Sequence, residues 1–577
     1  MEIHSELDAA GGAAAGRLIR LLLVLCLLCP AGQAQEVAAA QKPAAEVKEL
    51  YDAGRWSEVV LAVPESLELA ADLEFYRAMS LAQLQRWDEA EKAFEAGRSR
   101  FPRDSRFAVE LAGLAYRRKD YAKAKRELRS GLAIAPGDDY SNDFLGSIYF
   151  QEDNLEAALK YWNRAGKPKL DDLSFDPQPK LRALILDRAF AFSAGQVWTR
   201  EQYLKTRAQL DALELFPRPK FELVAKPDSS FDLDIHAGER NGWGFSSWDA
   251  RLSFLRGLPY QTVYPESYNL GRRGMNWLSL ARWDDEKRRV YSELAAPLRD
   301  DPRLRWRIYF DWRNENWDLT NTIAPGSAAA GLNMEKAAAG AGIRIIPSGE
   351  WEWSAEVEYS YRKFRDVNGI PAAAANFFTD GSAVEIRSEV RRALFRLPER
   401  RFTVESGASA ELGTFFQEPL GRYGSVQGFA KSTWLPKARG DDYQTVTAVS
   451  AGRTIGDVPF DHLFMLGFER DNALLLRGHP GLRNGEKGNA PLGRNYVLVN
   501  AETDKIIHKD GIFTVKLGPF LDTGKIYDPS GLFGSPKWLF DTGAQMKLRV
   551  LGSFEFVLGY GKDLRSGNNS FFTGVTR

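Results

Sequence analysis

From residue 241 onward the chain alternates between apolar and charged positions with a period of two. In EWEWSAEVEYSYR (350–362) every odd position from Trp351 to Tyr361 is apolar or aromatic, and every even one from Glu350 to Arg362 is polar. RLRWRIYFDWR (303–313) places Leu304, Trp306, Ile308, Phe310 and Trp312 on one side and mainly charges on the other. RFTVESGASAEL (401–412) and SFEFVLGYG (553–561) repeat the alternation. Successive side chains of a strand point to opposite faces, so each segment predicts a strand with one apolar and one charged face. A secreted β-sandwich also alternates, but it hides the apolar face and shows the polar one to water. Here the apolar face is rich in Trp and Tyr and the other in Arg, Glu and Asp, the pattern of a transmembrane barrel with a polar lumen. Backbone groups left unpaired in lipid cost several kcal/mol each, so such a sheet must close. Residues 241–577 are enough for about sixteen antiparallel strands.

Further towards the N-terminus the period changes. RWDEAEKAFEAGRSRFP (86–102) and DYAKAKRELRSGLAIAP (120–136) superpose at a shift of 34 residues, matching Trp87 with Tyr121, Ala90 with Ala124, Phe94 with Leu128 and Pro102 with Pro136. FLGSIYFQEDNLEAALKYWNRAGKP (144–168) continues the series, and YDAGRWSEVV (51–60) precedes it as a degenerate copy. The period resembles that of tetratricopeptide repeats, whose small residues let paired helices pack closely; an ordinary helical bundle is the alternative. The resemblance implies an α-solenoid over 45–168 that docks a partner protein or client.

A Pro- and Asp-rich break, DDLSFDPQPK (171–180), follows. Beyond it, LRALILDRAFAF (181–192) and REQYLKTRAQLDALELF (200–216) predict helices, the second opened by Thr199 and Gln202 at capping-box spacing. KFELVA (220–225) and SFDLDIHA (230–237) predict two strands. This unit, 178–240, resembles a small α+β POTRA (polypeptide-transport-associated) domain. The resemblance implies that Phe231, Leu233 and Ile235 lie on a strand able to pair with an extended client.

Composition adds a compartment. Arg17 and Arg20 precede LLLVLCLLC (21–29) and the small-residue stretch PAGQAQ (30–35), which predicts a secretory signal peptide over 1–34. Both cysteines, Cys26 and Cys29, fall inside it, so the mature chain is expected to hold no disulfide and no thiolate metal site. No later stretch approaches ~18 uninterrupted apolar residues, so any membrane crossing must use strands. Lys+Arg and Asp+Glu both number 77, which gives no electrostatic footprint for nucleic acid.

The last hundred residues sharpen the picture. LLLRGHPGLRNGEKGN (474–489) is followed by GPFLDTGKIYD (518–528) and LFDTGAQMKLRVLGSFEFVLGYG (539–561). This order resembles the outer-membrane protein assembly factors of the BamA/TamA superfamily over roughly 180–577. Their aliphatic-Arg-Gly-aromatic loop tip maps onto Leu476, Arg477, Gly478 and His479, and their Phe-x-Asp-x-Gly strand onto Phe520, Asp522 and Gly524. His479 departs from the family's Tyr or Phe. The C-terminus, ending in Arg577, departs from a terminal aromatic. The resemblance implies a loop folded into the lumen, a seam that opens sideways, and action on client polypeptides in contact with outer-membrane lipids.

Parity assigns the latch its partner. In IFTVKLGPFLDTG (512–524), Phe513, Val515, Leu517 and Leu521 share the lipid-facing side, so Lys516, Phe520 and Asp522 face inward. Arg477 is then expected to pair with Asp522, with Gly478 and Gly481 letting the loop turn tightly and Gly524 keeping the wall low. No catalytic, cofactor or metal residues are expected. The five histidines (4, 236, 462, 479 and 508) have no ligand spacing, and neither a G-x-S-x-G elbow nor a phosphate loop occurs. The expectation is a multidomain, non-enzymatic outer-membrane barrel with its N-terminal domains in the periplasm. An export porin whose repeats recruit a polysaccharide synthase and a surface-lipoprotein transporter are the rivals. A lumen open at 474–490 would favour the porin.

Overall fold

The computed structural model describes residues 45–63, 70–217, 219–323, 329–550 and 554–576. The signal peptide expected over 1–34 lies outside them. The chain divides into two compact units, Met1–Ile148 and Tyr149–Arg577.

In the first unit, helices Ala71–Gln83, Trp87–Arg100, Ser105–Arg117 and Tyr121–Ile134 follow one another through tight turns. Asp104 and Asp120 cap two of them by accepting from the backbone N–H of Arg106 and Lys123. Gln85 and Lys119 leave their helices at φ 60° and 63°, at the same place in successive repeats, and Asp153 repeats the pattern at 58°. The small residues act as the sequence expects. Ala78, Ala90, Phe94 and Phe107 are fully buried, and a Cβ on Gly97 would stand 2.2 Å from the Phe107 ring.

The second unit begins with the helix Leu155–Trp162 and a three-stranded sheet in the order Leu170–Asp176, Phe231–His236, Lys220–Ala225. The helices Ala183–Ala189 and Arg200–Leu213 lie between its first and second strands in sequence, and Thr199 and Gln202 form the capping box. Asn163 binds the repeat helix to this sheet domain, donating to the carbonyls of Lys167 and Trp198 and accepting from the Arg200 N–H. Two expectations are corrected here. The Pro- and Asp-rich break contains a strand, so the domain starts before residue 178. Phe231–His236 is the central strand, parallel to Leu170–Asp176 and antiparallel to Lys220–Ala225. Both of its edges are occupied, and Leu233 and Ile235 are fully buried. Phe231, Leu233 and Ile235 therefore cannot pair with a client strand; they build the core of the sheet.

The rest of the unit is a closed barrel of eighteen strand segments among the described residues. Two of these, Leu482–Arg483 and Glu486–Lys487, form a hairpin within a long loop. Two others, Thr262–Val263 and Glu266–Leu270, lie end to end along Met275–Trp283, so the wall itself starts later than residue 241. From Met275 to Gly456 each strand pairs antiparallel with the next. Tyr443–Gly456 then pairs directly with Asn495–Lys509, so 457–494 leaves the run of wall strands and touches it again through the hairpin, at Lys487 beside Trp317.

Parity holds around the wall. Trp353, Val357, Tyr359, Tyr361, Leu517 and Leu521 are exposed, whereas Arg362, Glu385, Lys516 and Asp522 are buried. This distribution is inverted relative to a protein folded in water. No helix among the described residues is long and apolar enough to cross a membrane.

Candidate functional site: a loop latched inside the lumen

The loop 457–494 folds into the lumen because its charges find the wall's inward row. Near its start, Asp461 accepts from Arg362 at 2.6 Å and lies 3.0 Å from Lys336 Nζ. Burial alone would raise the Asp461 pKa; Arg362, Lys336 and His462 outweigh it and hold the carboxyl well below its usual range. Further along, Asp471 bridges Arg282 at 2.7 Å and Arg289 at 2.9 Å, and Lys487 donates to Glu315 at 2.6 Å. Arg282, Glu315 and Lys487 are buried, and Asp471 and Arg289 are partly so.

The tip carries the predicted motif. Leu476 is buried among Phe464, Leu466, Tyr496, Leu498, Ile526 and Leu539, which seats the backbone so that Arg477 meets the strand Phe513–Tyr527. Arg477 Nε donates to Asp522 Oδ2 at 2.9 Å and its Nη2 to Oδ1 at 2.7 Å, a two-pronged pair. Its backbone N–H adds a third bond to Oδ2 at 3.1 Å. Nη1 reaches Glu502 at 2.6 Å and Gln545 at 2.9 Å, and the guanidinium lies 4.0 Å from the centre of the Phe520 ring. Burial alone would lower the Arg477 pKa, but Asp522 and Glu502 outweigh it and leave it raised. Asn500 completes the site by donating to Asp522 Oδ1 at 2.8 Å and to the Leu475 carbonyl at 2.7 Å.

The glycines act through close approach. Gly478 donates its N–H to Asp541 Oδ2 at 2.5 Å, and a Cβ there would stand 2.6 Å from Asp541 Cγ. A Cβ on Gly524 would meet Leu466 at 2.9 Å. Gly478 lies in a tight turn as expected, with the His479 N–H donating to the Leu476 carbonyl at 3.0 Å, while the left-handed backbone of the loop lies later, at Asn484, Gly485 and Gly488. His479 directs Nδ1 to Asp541 Oδ1 at 3.0 Å and Nε2 to Asp563 at 3.5 Å. The ring nitrogens thus engage two wall strands that a phenyl ring could not.

All seven residues predicted for the loop tip and its wall meet at one place. Sequence reasoning missed Glu502, Gln545, Asp541 and Ser570, whose Oγ donates to the Arg477 carbonyl at 2.8 Å. It also missed Asp461, Asp471 and Lys487. Parity on Asn495–Lys509 and Leu539–Val550 would have placed Glu502 and Gln545 inward, but nothing local singles them out.

No protein-family model matches the chain, and no curated protein matches it. Similar solved structures include BamA from Haemophilus ducreyi lacking POTRA domains 1–3, at 11% identity and a TM-score of 0.42 over 71% of this chain and 84% of that one. CdiB from Escherichia coli aligns at 11% identity and a TM-score of 0.46, over 70% of this chain and 74% of that one. CdiB from Acinetobacter baumannii does so at 11% and 0.42, over 71% and 73%. A likeness at this level assigns no function.

Proposed function

We propose that the chain is an outer-membrane barrel that inserts or translocates polypeptides without covalent chemistry, its helical repeats docking a client or a periplasmic partner. The inverted wall supports lipid as its surroundings, since exposed Trp, Tyr and Leu face outward and buried charges face in. The observation that carries the reading is the lumen. The loop 457–494 is held inside it through Arg477–Asp522 and two further ion-pair clusters, around Asp461 and around Asp471 with Lys487, which disfavours the polysaccharide porin. The wall is also weakest where its ends meet, because Thr262–Val263 and Glu266–Leu270 are 2 and 5 residues long while Asp301–Asp318 has 18. Few ladder bonds need break there for an incoming strand to enter.

The three-stranded sheet and its helices make a POTRA-like module, with Lys220–Ala225 as the edge open to a client, since Leu170 at the other edge already pairs with Gly195 and Gln196. Reconstitution tests the reading. Vesicles holding the protein should speed the insertion of an unfolded outer-membrane barrel polypeptide, and Arg477→Ala should abolish the gain while Arg477→Lys retains part of it. Equal insertion with and without the wild-type protein would sink the proposal.

A further inference from the structure

Residues 241–258 lie between the small sheet and the first wall strand, and they belong to neither. Met275–Trp283 takes one edge of Glu266–Leu270. On the other edge, Tyr268 exchanges both backbone hydrogen bonds with Gly242, at 2.9 and 2.6 Å, and Tyr264 donates its N–H to the Phe254 carbonyl at 3.1 Å. The segment therefore pairs along the edge of Glu266–Leu270 that faces away from Met275–Trp283 and continues as the helix Ser247–Leu255.

This helix is inside out. Asp249 and Arg256, at 4% and 8% exposed, are turned into the protein. Asp249 accepts from the Phe245 N–H at 3.0 Å, and Arg256 pairs with the buried Glu266 at 2.5 Å. On the adjoining face Trp248, Leu252 and Leu255 are 67%, 37% and 45% exposed. A short helix that buries its carboxylate and shows Trp248, Leu252 and Leu255 is arranged for a nonpolar surrounding. The outward row of the adjacent wall, with Trp283 and Val290 exposed, has the same character. Arg251 lies on the stripe but leans over Trp248, its guanidinium 5.5 Å from the ring centre. From there a long side chain reaches the headgroups, as expected at the edge of a bilayer.

We propose that residues 241–258 form an interfacial strap. Its Trp248, Leu252 and Leu255 lie among acyl chains beside the seam, while its backbone masks the edge of the first strand. The inference rests on the barrel's residing in a bilayer, so the test carries its own control. Nitroxide labels are placed singly at Leu252→Cys, Trp248→Cys and the wall position Leu521→Cys, with Cys26 and Cys29 replaced by Ser, in phosphatidylethanolamine–phosphatidylglycerol vesicles. At all three sites collisions with oxygen should exceed those with a soluble nickel chelate. A label at 521 that meets the chelate instead would overturn the membrane reading itself. Lipid contact at 521 with chelate contact at 252 would overturn the strap alone. Amide exchange then tests the cap. In Leu252→Glu/Leu255→Glu, exchange at Tyr264 and Tyr268 should quicken on the order of tenfold while exchange at Leu517 stays unchanged. Unchanged exchange at Tyr264 and Tyr268 with the charged helix in place would overturn the cap.

Discussion

Arg477 holds more of the lumen together than any neighbour, since Asp522, Glu502, Gln545 and Ser570 all converge on it. Removing either member of a buried pair strands the other charge, at about 3–5 kcal/mol. Arg477→Ala and Asp522→Ala should therefore each free the loop to protease, and the double variant should cost less than the sum of the two, as a double-mutant cycle would register. His462 gives a second residue-scale expectation. Its Nδ1 lies 2.8 Å from Glu411 and its Nε2 3.1 Å from Glu385, with Arg362 at 2.9 Å and the Tyr423 ring centre at 5.1 Å. Burial alone would lower its pKa, but Glu385, Glu411 and Asp461 raise it to about 9 from an ordinary 6.5. A raised folded-state pKa stabilises fully below the ordinary value and is lost as pH climbs through the folded one. The loop anchor should thus weaken by up to about 3 kcal/mol between ~pH 6 and ~pH 10. Urea midpoints in micelles across that range should fall for the wild type and stay nearly flat for His462→Gln.

Among elements, the repeat helix Leu155–Trp162 sits at a boundary with a consequence for truncation. Besides the Asn163 bonds, Glu156 pairs with Arg200 at 2.7 Å, Asn154 donates to the Pro398 carbonyl at 2.8 Å, and Lys160 pairs with Glu399. Deleting 45–148 should leave a heat-modifiable barrel that has lost its partner, whereas deleting 45–168 should also destabilise the sheet domain. Equal heat-modifiability and equal protease resistance of that domain in both deletions would refute this. Leu233→Pro should unfold the three-stranded sheet outright, because a central strand loses a ladder bond with no solvent to replace it. Protease resistance of residues 168–240 in the full chain would register this collapse, whereas a mere loss of client pairing would leave it unchanged.

What was legible at this scale follows locality. Wall strands announced themselves because both faces are strongly marked, and the pairing of Arg477 with Asp522 followed from parity once the motif pointed to the loop. The strand Leu170–Asp176 stayed hidden because a register shift between Leu170 and Asp172 breaks its alternation and Pro177 closes it. The central position of Phe231–His236 was equally invisible. Strand order is decided by a partner some 60 residues away, as the bond between Ser174 and Asp234 illustrates. The strap looked like the start of the barrel, since an inverted helix next to inverted strands has no contrasting composition.

For the whole molecule, the distribution of the loop's partners matters more than their number. The loop departs between Tyr443–Gly456 and Asn495–Lys509, yet Asp471 finds Arg282 at a separation of 189 residues and Lys487 finds Glu315 at 172. On the other side Gly478 reaches Asp541, and the Arg477 carbonyl reaches Ser570. One segment is thus gripped by strands from both ends of the wall, and its anchoring groups are shut away from water. Such a plug cannot be threaded into a finished cylinder without stripping those charges of every partner at once. The barrel must instead be wound around its own loop, the loop serving as the spool that brings the first and last strands together. Contacts so distant in sequence make closure slow, and Asp471→Asn should slow it further. Formation of the heat-resistant band after dilution from urea would lag in that variant, while the strands themselves form on schedule.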